Sequence, residues 1–524
     1  MKNVIYINCW VEPWAKVAQK LQDEYDYKPV WWIGYSKEDN SHNIIPQNFP
    51  GIIYQDNADA WKGRFPKQIE EKAPYYYLDV DFLRRHSQHE LQAIKMMDRV
   101  DQDLHSFNFM ERQRHFRNML KSWMAAIDIV KPDLVVSTAI PHRLYDYVLF
   151  WLCEEREIPF LTINHTSFAG RFYFSKNNFY SLGNLFVDDW KSYVSCSNLK
   201  AIISSDILNA FESVNQDYGK AIPEYMVKQF NLQKKSDDIF FFIKRWFRKF
   251  TTVYRPYLLG RPADNTLIGL CAYDKRKNKR YEESEGNIYR HERMILKANK
   301  YKKHLKQVYE SLTSSPDYKD QYVVHFLHYQ PEATTCPGGD IFVDQRLCIE
   351  LLLKNLPSNY KIYVKEHPSQ FMRHMLGHTG RMTDLYYDLI KNERVKLISL
   401  NVDSFELMKH AIAVSTITGT VGWEALVRRK PVISFGLYWY ENYSKGVLRI
   451  TDEESAKKIL QHIESYQYDE QSLLAYLAAV GKNTTLAYYF KDAHKEKLNI
   501  SEEECINNLI KEMLKHLNHK KDVK

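Results

Sequence analysis

Residues 414–436 read VSTITGTVGWEALVRRKPVISFG, and the apolar run AIAV (411–414) leads into them. An apolar run passes into small hydroxyl residues and glycine, a helical pattern follows, and PVISFG forms a second apolar run. Strand, turn, helix and strand in that order make a parallel βαβ unit. A strand ending at Ser415-Thr416 delivers Ile417, Thr418, Gly419 and Thr420 to the turn, and a helix starts near Val421. The unpaired N–H groups and positive end of such a helix form an anion site. Gly419 and Gly422 allow close backbone approach to a phosphate, the hydroxyls add donors, and Glu424 is placed to accept from ribose hydroxyls. An ordinary strand–turn–helix with Ser/Thr caps has the same local pattern.

The same grammar extends in both directions. Downstream of residue 265 the strand candidates are TLIGLCAY, YVVHFLHY, KIYVKEHP, VKLIS, AIAVST and PVISFG, with helices such as FVDQRLCIELLLKNL between them. Upstream, VIYINCW (4–10), PVWWIGY, GIIYQ, PDLVVSTAI (132–140) and IPFLTINHT (158–166) alternate with helical stretches, including a long polar one over 87–130. Continuous apolar strands separated by helices imply parallel sheets covered on both faces. The reading is α/β, with two Rossmann-like doubly wound domains facing a central cleft, where ligands meet the carboxyl ends of the strands. The boundaries are 1–230 for an N-terminal Rossmann-like domain, 231–264 for a basic aromatic linker, 265–470 for a C-terminal Rossmann-like domain and 471–524 for C-terminal helices.

Composition agrees. The chain has 524 residues, more than one ordinary core, and is 44% hydrophobic and 26% charged. Its 73 Lys+Arg against 65 Asp+Glu give +8, a mild excess suited to an anionic ligand or membrane surface. Seven cysteines without a CxxC pair point to a reducing cytoplasm and away from a disulfide framework or zinc ribbon. The start, MKNVIYINCWVEPW, reads as a first strand rather than a signal peptide. The run KRKNKR (275–280) lies beside acidic EESE, so it reads as solvated surface, and no nucleic-acid motif accompanies it.

Within the linker, IFFFIKRWFRKF (239–250) places Ile243, Trp246, Phe247 and Phe250 on one helical face, with Lys244, Arg245, Arg248 and Lys249 on the other. That is an interfacial membrane pattern, and equally that of a linker helix packed on a domain.

Four further clusters carry possible chemistry. VKEHPSQF (364–371) ends a strand with Lys365, His367 and Pro368, and Lys365 and His367 suit phosphate binding or proton donation. HFLHYQPEATT (325–335) follows another strand with His328, Gln330 and Glu332, the last a base or nucleophile. In the first half, STAIPHRLYDY (137–147) offers His142, Arg143 and Asp146, and TINHTSFAGRF (162–172) offers His165, Ser167 and Arg171. These suit an acidic acceptor or proton transfer. Asp79-x-Asp81 has the spacing that can hold a divalent ion but also fits a helix cap, and the two-domain grammar points away from a metal site, so no metal is expected.

QPE, KEHP and STITGTVGWEAL followed by KPVISFG, in that order, resemble the bacterial capsule polysaccharide biosynthesis glycosyltransferases, a group related to the Kdo and other ulosonic-acid transferases. The resemblance covers about 320–440. It implies a GT-B fold, with donor on the C-terminal domain and glycan acceptor on the N-terminal one. It further implies that His367 and the Ser415–Thr420 turn meet the donor phosphate, and Glu424 the ribose. Members that transfer Kdo use CMP-sugars and carry an Asp nucleophile after Q-x-E. This chain has Ala333, Thr334 and Thr335 there, which leaves Glu332 as the carboxylate of the cluster. The expectation is a metal-independent glycosyltransferase at the inner face of the plasma membrane, without a cofactor, with a CMP-sugar favoured as donor. The alternatives are a UDP-sugar or polyol-phosphate transferase, or a non-catalytic glycan- or nucleic-acid-binding protein.

Overall fold

The computed structural model describes residues 1–101, 104, 107–178, 182–216, 243–244, 247, 250–251, 288–489 and 498–518. The candidate strand TLIGLCAY, the KRKNKR run, and Arg245, Trp246 and Lys249 lie outside them.

The first sheet contains β1 (Lys2–Ile7), β2 (Tyr27–Gly34), β3 (Ile53–Asp56), β4 (Leu134–Ser137), β5 (Phe160–His165) and β6 (Arg171–Lys176). The second contains β7 (Thr313–Ser314), β8 (Tyr322–Phe326), β9 (Lys361–Lys365), β10 (Val395–Ile398), β11 (Ala413–Thr416), β12 (Val432–Ser434) and β13 (Val447–Arg449), and β14 (Thr485–Leu486) returns to the first. The orders are β14-β6-β5-β4-β1-β2-β3 and β13-β12-β11-β8-β9-β10-β7. Both sheets are doubly wound, as the apolar strands require. Adjacent Trp31 and Trp32 show why. Successive strand residues face opposite sides, yet both rings are fully buried, so both faces of the first sheet are covered. Trp31 packs with Trp123 and Phe65 on one face, and Trp32 with Trp14 and Leu21 on the other.

Register brings the strand ends together. Ile7 lies opposite Ile33 and Ser137, while His325 pairs with Val364 and Ser415. Each domain therefore presents its candidate residues from one edge of its sheet.

Two features depart from the sequence reading. First, β6 runs antiparallel to β5. Only five residues join them, and Gly170, at φ +69, closes the turn. A parallel crossover needs on the order of a dozen residues, so the chain must double back. Second, 471–524 is not a separate helical tail. The helix Glu470–Asn483 packs on the helix Gly183–Val194, β14 pairs with β6, and the helix Glu502–Asn518 lies on the helix Val11–Tyr25. Trp14 Nε1 donates to the Tyr489 carbonyl at 2.9 Å, which pins this return. The end of the chain thus completes the N-terminal domain.

An aromatic seam joins the domains. Phe168 lies edge-on to Trp423 and Trp439, with centroids 5.6 and 5.4 Å away, and Trp439 Nε1 donates to Ser167 Oγ at 3.2 Å.

Candidate active site

The turn after β11 is built by His328. Its Nε2 accepts the backbone N–H groups of Ile417 and Thr418, both at 3.2 Å, and lies 2.9 Å from Thr416 Oγ1. That nitrogen therefore carries a lone pair, and burial lowers the ring's pKa to about 3. Thr416 Oγ1 also accepts from Gly419 N, Ser415 Oγ lies 2.8 Å from His325 Nδ1, and Thr418 Oγ1 donates to the Thr334 carbonyl at 2.9 Å. Ser415, Thr416 and Thr418 are buried. The hydroxyls expected to meet a phosphate thus fold the turn and tie it to the Glu332 loop.

The half-buried part of this segment is Gly419, Thr420, Val421 and Glu424. Gly419 is the N-cap of the helix Thr420–Val427, so the N–H groups of Thr420 and Val421 open that helix without an intrahelical acceptor. The free helix-opening N–H groups are thus those of Thr420 and Val421, at the end of the hydroxyl run. Burial raises Glu424 to about 7.

In the KEHP segment the side chains diverge. Lys365 donates to the Val402 carbonyl and to Ser404 Oγ at 3.0 Å, and burial lowers its pKa to about 8. It braces the loop before the helix Ser404–His410 rather than facing a donor. His367 Nδ1 accepts from Ser369 N at 3.2 Å, so Nε2 carries the proton. Burial lowers its pKa to about 4, which makes it a neutral N–H donor at pH 7. Pro368 opens the short turn Pro368–Phe371.

Between them, Glu366 and Arg381 form a buried ion pair that sequence reasoning missed. The same guanidinium donates to Gln330 Oε1 at 3.1 Å and to the His328 carbonyl at 2.9 Å. Gln330 donates through its side chain to the Val343 carbonyl at 2.6 Å, while its backbone N–H donates to Gln370 Oε1 and its carbonyl accepts from Gln370 Nε2. Gln330 is therefore a strut of the loop and not free for a donor.

Glu332 keeps an accessible carboxylate although it lies between protein walls, and those walls raise its pKa. Thr334 Oγ1 donates to it at 3.0 Å, and Arg99, Tyr329 and Tyr438 face it electrostatically.

On the N-terminal side, His142 Nδ1 donates to the Ile140 carbonyl at 2.5 Å. Its Nε2 is thus the basic nitrogen, and burial holds the ring neutral. Asp146 is fully buried and accepts from Arg143 N at 2.6 Å and Asn8 Nδ2 at 3.2 Å. It orders the loop and is closed to substrate. Arg171 is likewise spent, on Asp206 at 2.5 Å and on the Gly481 and Thr484 carbonyls. His165 and Ser167 stay exposed. Asp79 caps the helix Val80–Arg85, and Asp81 pairs with Arg84 at 3.1 Å. Among the described residues no group of three or more His, Cys, Asp or Glu is arranged to hold a metal.

Two doubly wound domains, joined by a seam and presenting their strand ends to one cleft, make the GT-B fold. Residues 273–490 match the family model described as "Capsule polysaccharide biosynthesis protein", which bears out the resemblance read from QPE, KEHP and STITGTVGWEAL. The chain is 28% identical over 118 residues, 22% of its length, to the capsule polysaccharide modification protein LipA of Neisseria meningitidis, and it spans only 15% of that relative. Similar solved structures include a UDP-GlcNAc 2-epimerase from Methanocaldococcus jannaschii, at 13% identity, 90% and 94% coverage of the two chains and TM-score 0.24. Another is the Thermosulfurimonas dismutans KpsC beta Kdo 2,7 transferase, at 12% identity, 75% and 89% coverage and TM-score 0.27.

Proposed function

We propose that the protein is a metal-independent glycosyltransferase of bacterial surface polysaccharide synthesis, moving an ulosonic acid from a CMP-sugar to a glycan acceptor. The observation that carries this reading is the tie between Thr418 Oγ1 and the Thr334 carbonyl. It fastens the helix N-terminus of an anion site to the loop that holds the accessible carboxylate of Glu332. The family match over 273–490 supplies the polysaccharide context.

In this reading the N–H groups of Thr420 and Val421 and the Nε2–H of His367 receive the leaving phosphate as the sugar C–O bond breaks. Glu424 accepts from the ribose. The acceptor hydroxyl attacks the anomeric carbon and gives its proton to Glu332 or to Nε2 of His142. Because a helix terminus and a neutral imidazole stabilise the phosphate, the step needs no divalent ion.

Ile243, Phe247 and Phe250 are 56%, 63% and 38% exposed. Three exposed apolar side chains at helical spacing beside the exposed Lys244 support docking on an anionic membrane. No helix among the described residues is long and apolar enough to cross one.

A thermal-shift series with CMP, UDP, GDP and ADP tests the donor. Stabilisation by CMP above the others is expected. Preferential stabilisation by UDP selects the UDP-sugar reading, and no shift with any of them removes the nucleotide site.

A further inference from the structure

One guanidinium bridges the two halves of the cleft. Arg99 ends the short turn Met97–Arg99 that follows the helix Ser87–Met96. Its Nη1 donates to the backbone carbonyl of His142, in the loop after β4, and its Nη2 donates to that of Cys336 at 2.9 Å, in the loop that carries Glu332. The preceding helix grips the same loop. Gln88 and Gln92 donate to the Asp340 carboxylate, and Cys336 Sγ donates to Gln92 Oε1 at 3.1 Å. A planar fork reaches two carbonyls at once, which a single ammonium does less well.

We propose that Arg99 is a positioning residue that locks the Glu332 loop of one domain against the His142 loop of the other, so that both groups are set for reaction only while the domains are closed. The proposal rests on the transferase reading for its catalytic meaning, but the clamp is a property of the fold. It also sets charge. Among the described residues, the groups facing Glu332 are Arg99, the Thr334 hydroxyl and the phenols of Tyr329 and Tyr438, and of these Arg99 is the cation. The groups facing Arg99 among the described residues include Cys336, Glu332, Asp146, Arg143, His142 and Tyr329. Its charge favours the ionised carboxylate of Glu332 against the burial that opposes it. Domain opening would withdraw that cation and leave Glu332 protonated more readily.

Hydrogen exchange of the full chain without substrate, read on peptides covering 139–144 and 332–343, tests the clamp in Arg99→Met and Arg99→Lys. Exchange about tenfold faster in both loops, in both variants, is expected, with other regions unchanged. Turnover against pH on a CMP-sugar then tests the charge. Arg99→Met moves the acid limb to higher pH, because ionised Glu332 is harder to form, while Arg99→Lys leaves the limb in place. If Arg99→Met does not fold, Arg99→Lys still reports the clamp. Exchange unchanged in either loop overturns the proposal, as does an acid limb at the same pH in Arg99→Met and the parent. An absence of turnover with every donor would count against the transferase reading alone, since the exchange result stands without substrate.

Discussion

Arg381 Nε meets Glu366 Oε2 at 2.7 Å while its Nη2 meets Oε1 at 3.1 Å, both side chains being almost wholly buried. Tyr386 OH donates to the same carboxylate at 2.7 Å, and Tyr309 OH accepts from Glu366 N at 2.9 Å. The pair joins the KEHP segment to the Gln330 loop. Removing one partner strands a buried charge, at a cost of ~3–5 kcal/mol. Arg381→Leu should therefore lower the denaturant midpoint sharply. Replacing both, as Glu366→Leu with Arg381→Leu, should recover part of that loss. A double variant no more stable than the single would show that the pair is not the source.

Gly419 is the N-cap of the helix Thr420–Val427, and a Cβ there would stand 2.7 Å from Thr416 Oγ1. Gly419→Val must displace Thr416 and so disturb the bonds to His328. Loss of CMP affinity by more than about tenfold, with the folding transition retained, is the expected calorimetric result. Thr418→Val should cut turnover more than affinity, because it releases the Glu332 loop and leaves the helix N-terminus whole.

The fold was legible because the strands announce themselves. VIYIN, LVVS, YVVHF and AVST are buried on both faces, and nothing but a covered parallel sheet accepts them. The return of residues 485–518 to the first domain was not legible, since β14 has two residues and its partner is more than 300 positions away. The site was legible as segments and not as side chains. Ser415, Thr416, Lys365 and Gln330 sit where the pattern puts them, yet hydrogen bonding directs them inward. Arg99 and Arg381 carry no local pattern, because their partners are brought near by tertiary packing alone.

Glu424 has a carboxyl raised to about 7 by burial. Its folded pKa exceeds its unfolded value, so its stabilising effect is complete below the unfolded pKa and is lost as pH rises through about 7. Glu424→Gln should flatten that part of the stability profile. If the ionised form accepts from ribose hydroxyls, affinity for cytidine, which carries no titrating phosphate, should rise over the same interval in the parent and stay flat in the variant.

The exposed Ile243 and Phe247 lie four residues apart beside Lys244. Ile243→Glu with Phe247→Glu should release the protein from vesicles containing anionic lipid while CMP binding in solution is preserved. Flotation with such vesicles decides it. Equal binding by variant and parent would assign these side chains to another partner.

Glu332 is the last of the chemical groups, and it is exposed. It is the carboxylate in the HFLHYQPEATT segment, its pKa is raised by the surrounding walls, and Thr334 and Arg99 favour its ionised form. As a base or as a nucleophile it must be ionised, so turnover should fall as pH drops through its raised pKa. Glu332→Gln should lose at least about a hundredfold in kcat with CMP affinity unchanged, and the acid limb should vanish from the residual rate. The two roles separate by trapping. With donor and no acceptor, a glycosyl ester on the peptide containing Glu332 identifies the nucleophile. Its absence, together with rescue of Glu332→Gln by a small carboxylate such as formate, identifies the base. His142→Ala supplies the contrast. Its Nε2 is neutral across the range, so its loss should lower kcat without moving the acid limb. Near-normal turnover in Glu332→Gln would remove both roles and leave proton transfer to His142.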